Sequence, residues 1–313
     1  MGNQTTTVTS FVLLGLPFNL PVQMFLFLVF LSTYAATVIG NTVIMIVIRR
    51  DNHLHRPMYF LLSHLAFLDL CFSSVSVPKL LIILCASQTI SYNGCFSQMC
   101  LLLLTGTTEA YILAAMAYDR YTAVCKPLLY AQIMNREFCR WLVSGSWTTG
   151  FVYAMVNTLP ALRLVFCGPN IIRNFSCEFP ALLALSCTET SPNILTLFIT
   201  GSAVAGFSLL VILCSYINII FTILKINSAE AKRKTFSTCS SHLIVVVLYY
   251  GSGCFRYMRS NAISSKLVDY FFSIQYSIST PMLNPIIYTL KTREVKEAIK
   301  NLTGYKPEIP HVM

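Results

Sequence analysis

The chain has 313 residues, 55% of them hydrophobic and only 11% charged, with a mean hydropathy of +0.66. Soluble domains carry roughly a quarter charged residues, so this composition excludes an ordinary water-soluble protein. The net charge of +10 comes from basic residues clustered between apolar runs, a pattern that calls for no nucleic-acid partner.

Residues 1–23 carry no charged side chain, and the first ten are polar with no basic n-region, so a cleaved signal peptide is not expected. Seven apolar runs follow, at about 24–48, 58–84, 98–116, 141–159, 194–224, 243–258 and 270–290. A hydrocarbon core of ~30 Å needs about 20 helical residues, so each run is a candidate span; the sixth is short and is interrupted by Arg256. The runs do not alternate in polarity as barrel strands do, and helices satisfy their backbone within the segment. The expected fold is therefore all-α, a membrane protein built as a seven-transmembrane-helix bundle. Sixteen of the 22 Lys and Arg lie in the first, third and fifth connections and the tail, which places the N-terminus outside and the C-terminus in the cytosol. The expected organisation is an extracellular segment at 1–23, a seven-helix domain at 24–290, and a cytosolic tail with a short amphipathic helix at 291–313. Membrane lipid is the first partner implied.

Four cysteines lie on the outer side, Cys95, Cys167, Cys177 and Cys187, and spacing alone leaves three pairings open. Asn3 and Asn174 head glycosylation sequons on that side, Asn3 being the more accessible.

Ionisable groups inside spans are costly and mark function. Asp69 lies about 18 Å up the second helix from Pro57, and Glu109 about 15 Å up the third from Asp119. Two acids at one depth either hold a cation between them, sodium with Ser73 or Asn284 completing the site, or each stay neutral and hydrogen-bonded. His242 is read as a hydrogen-bonded packing residue, with a proton switch as the alternative. Pro281 and Pro285 remove backbone hydrogen bonds in the seventh helix and allow a bend there.

Several motifs stand in order along the chain. They are Leu54-His55-Arg56-Pro57-Met58-Tyr59-Phe60, Met116-Ala117-Tyr118-Asp119-Arg120-Tyr121, and Ser215-Tyr216. Lys234-Thr235-Phe236-Ser237-Thr238-Cys239-Ser240-Ser241-His242-Leu243 enters the sixth span, and Pro281-Met282-Leu283-Asn284-Pro285-Ile286-Ile287-Tyr288 lies in the seventh. With Gly40-Asn41 and the cysteine-rich loop, they resemble the odorant receptors, a branch of the rhodopsin-like G-protein-coupled receptors. The resemblance implies disulfides Cys95–Cys177 and Cys167–Cys187. It implies a small-molecule odorant as ligand, a stimulatory heterotrimeric G protein raising cyclic AMP, and a plasma-membrane site in the sensory cilia of olfactory neurons. Asp119, Arg120, Tyr121, Tyr216, His242, Asn284, Pro285 and Tyr288 would then form the coupling machinery. The chain departs from the family at Asn174, Tyr249, Arg256 and Ser260, which bears on ligand preference.

Helical depth nominates Leu102, Leu103, Gly106, Thr200, Val204, Tyr250, Cys254, Tyr257, Ile274 and Ser277 as lining an outer, mostly apolar ligand cavity. Arg256 either faces that cavity and pairs an acidic ligand or snorkels to headgroups. A metabolite sensor of the same family outside the nose is the neighbouring alternative. A transporter or channel lacks repeats and a polar pore line, a retinal protein lacks a mid-span lysine, and no catalytic constellation supports an enzyme.

Overall fold

The structure is a computed structural model that describes residues 8–15, 19–167, 169–257, 274, 278–291 and 293–303. A short strand β1 (Ser10–Leu13) leads into helix α1 (Leu20–Arg50), which Pro21 opens and which ends on Arg49 and Arg50. Basic groups in a last turn oppose the partial negative charge of the helix end. Asp51 then accepts a hydrogen bond from the His53 N–H at 2.9 Å, turning the chain through a 3-10 turn into α2 (Pro57–Cys85). Strand β2 (Thr89–Ser91) precedes α3 (Tyr92–Cys125), capped by Ser91 Oγ, which accepts from the Gly94 N–H at 3.1 Å. A one-turn α4 (Tyr130–Ile133) connects to α5 (Arg136–Ala161), capped by Asn135 Oδ1 on the Phe138 N–H at 2.8 Å. Strand β3 (Ile171–Ile172) and the short α6 (Phe179–Leu183) lie in the long loop that follows. The remaining helices are α7 (Ser191–Lys225), α8 (Ala229–Tyr257), α9 (Thr280–Lys291) and α10 (Arg293–Thr303).

Helix α3 is the hub, packed on α2, α5, α7 and α8, while α9 lies on α1, α2 and α8. Two glycines set the closest approaches. A Cβ on Gly150 would collide with Thr108 Oγ1 and come within 2.8 Å of the Leu104 carbonyl, so α5 meets α3 backbone to side chain. A Cβ on Gly40 would stand 3.1 Å from the Pro285 ring, which brings α1 onto α9.

The apolar interior is in two parts. One cluster, including Ile44, Leu61, Leu65, Ile112, Met116 and Tyr288, fills the end that carries Arg120. The other, including Phe11, Leu80, Phe96, Met99 and Phe175, fills the end that carries the disulfides. Between them runs a buried polar layer containing Asn41, Asp69, Ser73, Thr108, Glu109 and Asn284.

The outer surface is as informative as the core. Phe198 is 70% exposed and Leu224 66%, and apolar side chains between them line α7 along its length. Water-soluble proteins rarely show contiguous apolar patches beyond a few hundred Å², so this surface suits lipid. Of the described helices, α1, α2, α3 and α7 are long and apolar enough to cross a membrane. Two of the seven expected spans are weaker by this measure. Serine, threonine and asparagine dilute α5, and the apolar stretch of α8 is only Cys239–Gly253, because its first turns are charged. Of the seventh run, residues 270–273 and 275–277 lie outside the described residues.

The disulfide end is closed by a small sheet in the order β2-β1-β3. Strand β1 runs antiparallel to β2, pairing Phe11 with Ile90, and parallel to β3, pairing Leu13 with Ile172. Phe11 and Leu13 are fully buried, and the Phe11 ring packs edge-on against Phe166 at 5.3 Å. The sequence implies only an outer extension at this segment, whereas it forms a structural strand.

Candidate functional site

Cys95 is joined to Cys177 with a Cα–Cα distance of 5.4 Å, and Cys167 to Cys187 at 5.7 Å. The first bridge fixes the loop to the start of α3. Gln98 reinforces it: its side-chain oxygen accepts from the Cys177 N–H at 2.9 Å while its nitrogen donates to the Val75 carbonyl on α2 at 2.9 Å. Asn174 is half-buried and its side-chain oxygen accepts from the Phe175 N–H, while Ser176 of the same sequon is buried and donates to Glu178. Asn3 lies outside the described residues.

Beneath this cap a cavity of about 570 Å³ opens between α3, α5, α7 and α8. Leu102, Leu103, Gly106, Val204 and Tyr250 line it, as helical depth suggested. Thr200 does not. It stands one residue before the lining Gly201, about 100° around the helix, and its hydroxyl donates to the Thr196 carbonyl at 2.7 Å beside Asn157 on α5. Ile274 packs with the apolar cluster under the cap rather than on the cavity wall. Ser277 and the side chains of Cys254, Arg256 and Tyr257 lie outside the described residues. Thr107, Tyr153, Ser202 and Tyr249 line the cavity as well, and depth counting missed them because it gives height on a helix but not facing.

Two adjacent tyrosines tie α8 to its neighbours at this wall. Tyr249 OH donates to the Gly106 carbonyl on α3 at 2.6 Å, and Tyr250 OH donates to Ser208 Oγ on α7 at 2.8 Å. Two turns earlier on α8, the fully buried His242 makes a third tie. Its Nε2 lies 3.0 Å from the Leu113 carbonyl and its Nδ1 2.7 Å from Tyr216 OH. A carbonyl can only accept, so in the neutral ring Nε2 carries the proton and Nδ1 accepts from the tyrosine. Both ring nitrogens thereby have hydrogen-bond partners.

The polar layer gathers the sequence's buried acids. Asn284 Nδ2 donates to both carboxylate oxygens of Asp69, at 3.0 and 2.9 Å. Asp69 and Glu109 lie within electrostatic reach of each other. Glu109 Oε1, Asn284 Oδ1 and Tyr288 OH are buried with no hydrogen-bond partner. Ser73 spends its hydroxyl proton on the Asp69 carbonyl at 2.7 Å. Pro285 has no N–H to give the Pro281 carbonyl four residues back, and Asn41 Nδ2 from α1 donates to that carbonyl instead, at 3.1 Å.

At the far end, Arg120 makes two contacts to Asp119 Oδ2, 2.7 Å from Nη2 and 3.1 Å from Nε. Tyr130 OH donates to the other carboxylate oxygen at 2.8 Å. Burial, with the Asp119 charge beside it, pushes the Tyr130 hydroxyl well above its ordinary range, so it stays a donor at physiological pH. Tyr121 turns its ring toward Lys126, whose Nζ lies 5.6 Å from the centroid.

The family model described as olfactory receptor matches residues 29–306. Human olfactory receptor 8S1 is 46% identical over 95% of this chain and 82% of its own length. Human olfactory receptor 8H3 is 45% identical over 94% of both, and the dog olfactory receptor-like protein OLF1 45% over 98% of this chain and 99% of its own. The match takes in every described helix except the first nine residues of α1, and with these relatives it establishes that the chain belongs to the olfactory receptor family.

Proposed function

We propose that this odorant receptor crosses the plasma membrane seven times, with β1 outside and α10 in the cytosol, in the cilia of olfactory neurons. A small, mostly apolar odorant binds in the cavity between α3, α5, α7 and α8. Binding there biases the far end of the bundle, where Arg120 engages a stimulatory heterotrimeric G protein and cyclic AMP rises. The observation that carries the reading is the pair of tyrosine ties on the cavity wall. A ligand that makes better contacts with α8 once Tyr250 leaves Ser208 favours a second arrangement of that helix. A ligand that binds both arrangements equally shifts nothing.

The test is a cyclic-AMP assay of transfected cells against an odorant panel. Tyr250→Ala removes an aromatic wall and an inter-helix bond, an effect of about 1.5–3 kcal/mol that translates to roughly ten- to hundredfold in potency. Surface expression should persist. An unchanged dose–response curve in that variant contradicts the site.

We propose in addition that the polar layer holds a sodium ion. Glu109 Oε1 and Asn284 Oδ1 are buried acceptors without donors, and Asp69, held by the Asn284 amide, adds a carboxylate to the same layer. Hard cations take oxygen ligands of this kind, and one positive charge would offset the repulsion between the two acids. The purified receptor is then expected to unfold at a higher temperature in sodium chloride than in choline chloride, and Asp69→Asn should abolish the difference. The same sodium-dependent shift in the variant would rule the ion out.

A further inference from the structure

A second cavity, of about 1040 Å³, lies at the Arg120 end on the flank formed by α1, α2, α4 and α5. It is separate from the cavity beneath the cap, and no residue lines both. Four arginines mark its polar part: Arg49 from the last turn of α1, Arg56 at the N-cap of α2, and Arg136 and Arg140 from the first turns of α5. Among the described residues the one ion pair joins Arg120 to Asp119, so none of these four guanidinium groups has a carboxylate partner there. No Asp or Glu lines the cavity.

The placement of two of them is unfavourable in isolation. Helix N-termini carry partial positive charge, and a cation beside one works against the helix dipole. Arg56 and Arg136 both sit at such starts; at α5 Asn135 already takes the Phe138 N–H and Glu137 stands in the first turn, so an anion among the four arginines would chiefly relieve their mutual repulsion. His55, Ser63, His64, Tyr130 and Asn135 add polar groups, and the remaining wall, with Met45, Ile48, Phe60, Phe67 and Trp147, is apolar. Phe67 is 42% exposed and its ring centroid lies 6.0 Å from that of Trp147. A free anion would use the arginines and leave these rings bare, whereas an amphiphile uses both.

We propose that this flank binds a polyphosphorylated inositol lipid. Its headgroup phosphates lie among Arg49, Arg56, Arg136 and Arg140, and an acyl chain lies along Phe67 and Trp147. Guanidinium forks pair phosphate oxygens two at a time, so four of them suit a headgroup with several phosphates better than one with a single phosphate. The inference rests on the membrane reading above, in which this end faces the cytosolic leaflet.

The test uses full-length receptor in detergent, with bound lipid counted by native mass spectrometry. Phosphatidylinositol bisphosphate, phosphatidylserine and phosphatidylcholine are titrated separately. Each cation near an anionic lipid surface is worth about fivefold in affinity, so Arg56→Gln with Arg140→Gln should weaken bisphosphate-lipid binding roughly thirtyfold. Lys232→Gln with Arg233→Gln, a basic pair outside the cavity, should change it by less than about twofold. A second readout needs no arginine variant. Trp141→Phe leaves Trp147 as the sole tryptophan, and bisphosphate lipid with brominated chains should quench its fluorescence more than brominated phosphatidylserine at equal mole fraction. Equal binding of the two lipids, wild-type affinity in the double Gln variant, or equal binding of the soluble headgroup would each overturn the proposal. So would loss of G-protein binding in the double variant with lipid binding intact. A receptor that still answers odorants while Trp147 goes unquenched sinks this inference alone and leaves the receptor reading standing.

Discussion

Gly150 shows how little room one residue can have. Its missing side chain is what lets α5 lie against α3, because a Cβ there would strike Thr108 and the Leu104 carbonyl. The carbonyl is backbone and cannot swing aside, so Gly150→Val is expected to cost about 1–3 kcal/mol or more through overpacking. Gly145, nearly a turn and a half earlier on the same helix, has nothing within 4 Å of where a Cβ would stand, so Gly145→Ala is the matched control. Thermal unfolding of the purified receptor should show a lowered midpoint for Gly150→Val and an unchanged one for Gly145→Ala; equal behaviour of the two would contradict the close approach. Asp69 and Glu109 were legible from sequence because a carboxylate inside an apolar run is conspicuous at any facing. Thr200 was not, because its depth was right and its direction was not: one residue along the helix decides whether a side chain meets the cavity or α5.

Among the elements, α9 is the one whose shape depends most on a neighbour. Pro285 leaves the Pro281 carbonyl without its helical donor, and Asn41 supplies one across the bundle while Gly40 lets the Pro285 ring come close. The sequence displayed both prolines and the Gly40-Asn41 pair, but it did not show that one repairs the other, since 240 residues separate the partners. Asn41→Leu would leave that buried carbonyl unpaired, at a cost of about 1–3 kcal/mol. The expected result is reduced thermal stability, with Asn41→Gln recovering part of it through the same amide; full stability in Asn41→Leu would contradict the repair. Strand β1 was invisible for a different reason. Four residues with no clear alternation give no periodic signal, and their strand state is set by β2 and β3, which arrive from two loops. Helix α8 reads as a short span in sequence because its apolar run begins only at Leu243 and Arg256 interrupts its far end, yet the helix starts at Ala229 and runs through Lys232, Arg233 and Lys234.

At the scale of the whole molecule, three layers are joined. A disulfide-pinned cap with β1 woven through it covers one end, an apolar cavity and a buried polar layer occupy the middle, and the Asp119–Arg120 pair stands at the other end. The two tyrosine ties and the His242 tie lie along one helix, α8, which connects the cavity to the far end. Membership of the olfactory receptor family was legible in the motifs, since they recur in order along the chain. Which faces of the helices look inward was not, because that depends on packing between segments far apart in sequence. The claim beneath all of this is that the cap and Arg120 lie on opposite sides of a membrane. Epitope tags before Met1 and after Met313 test it directly in transfected cells. The N-terminal tag should stain on intact cells and the C-terminal tag only after permeabilisation; staining of both tags on intact cells, or of neither, would contradict the account.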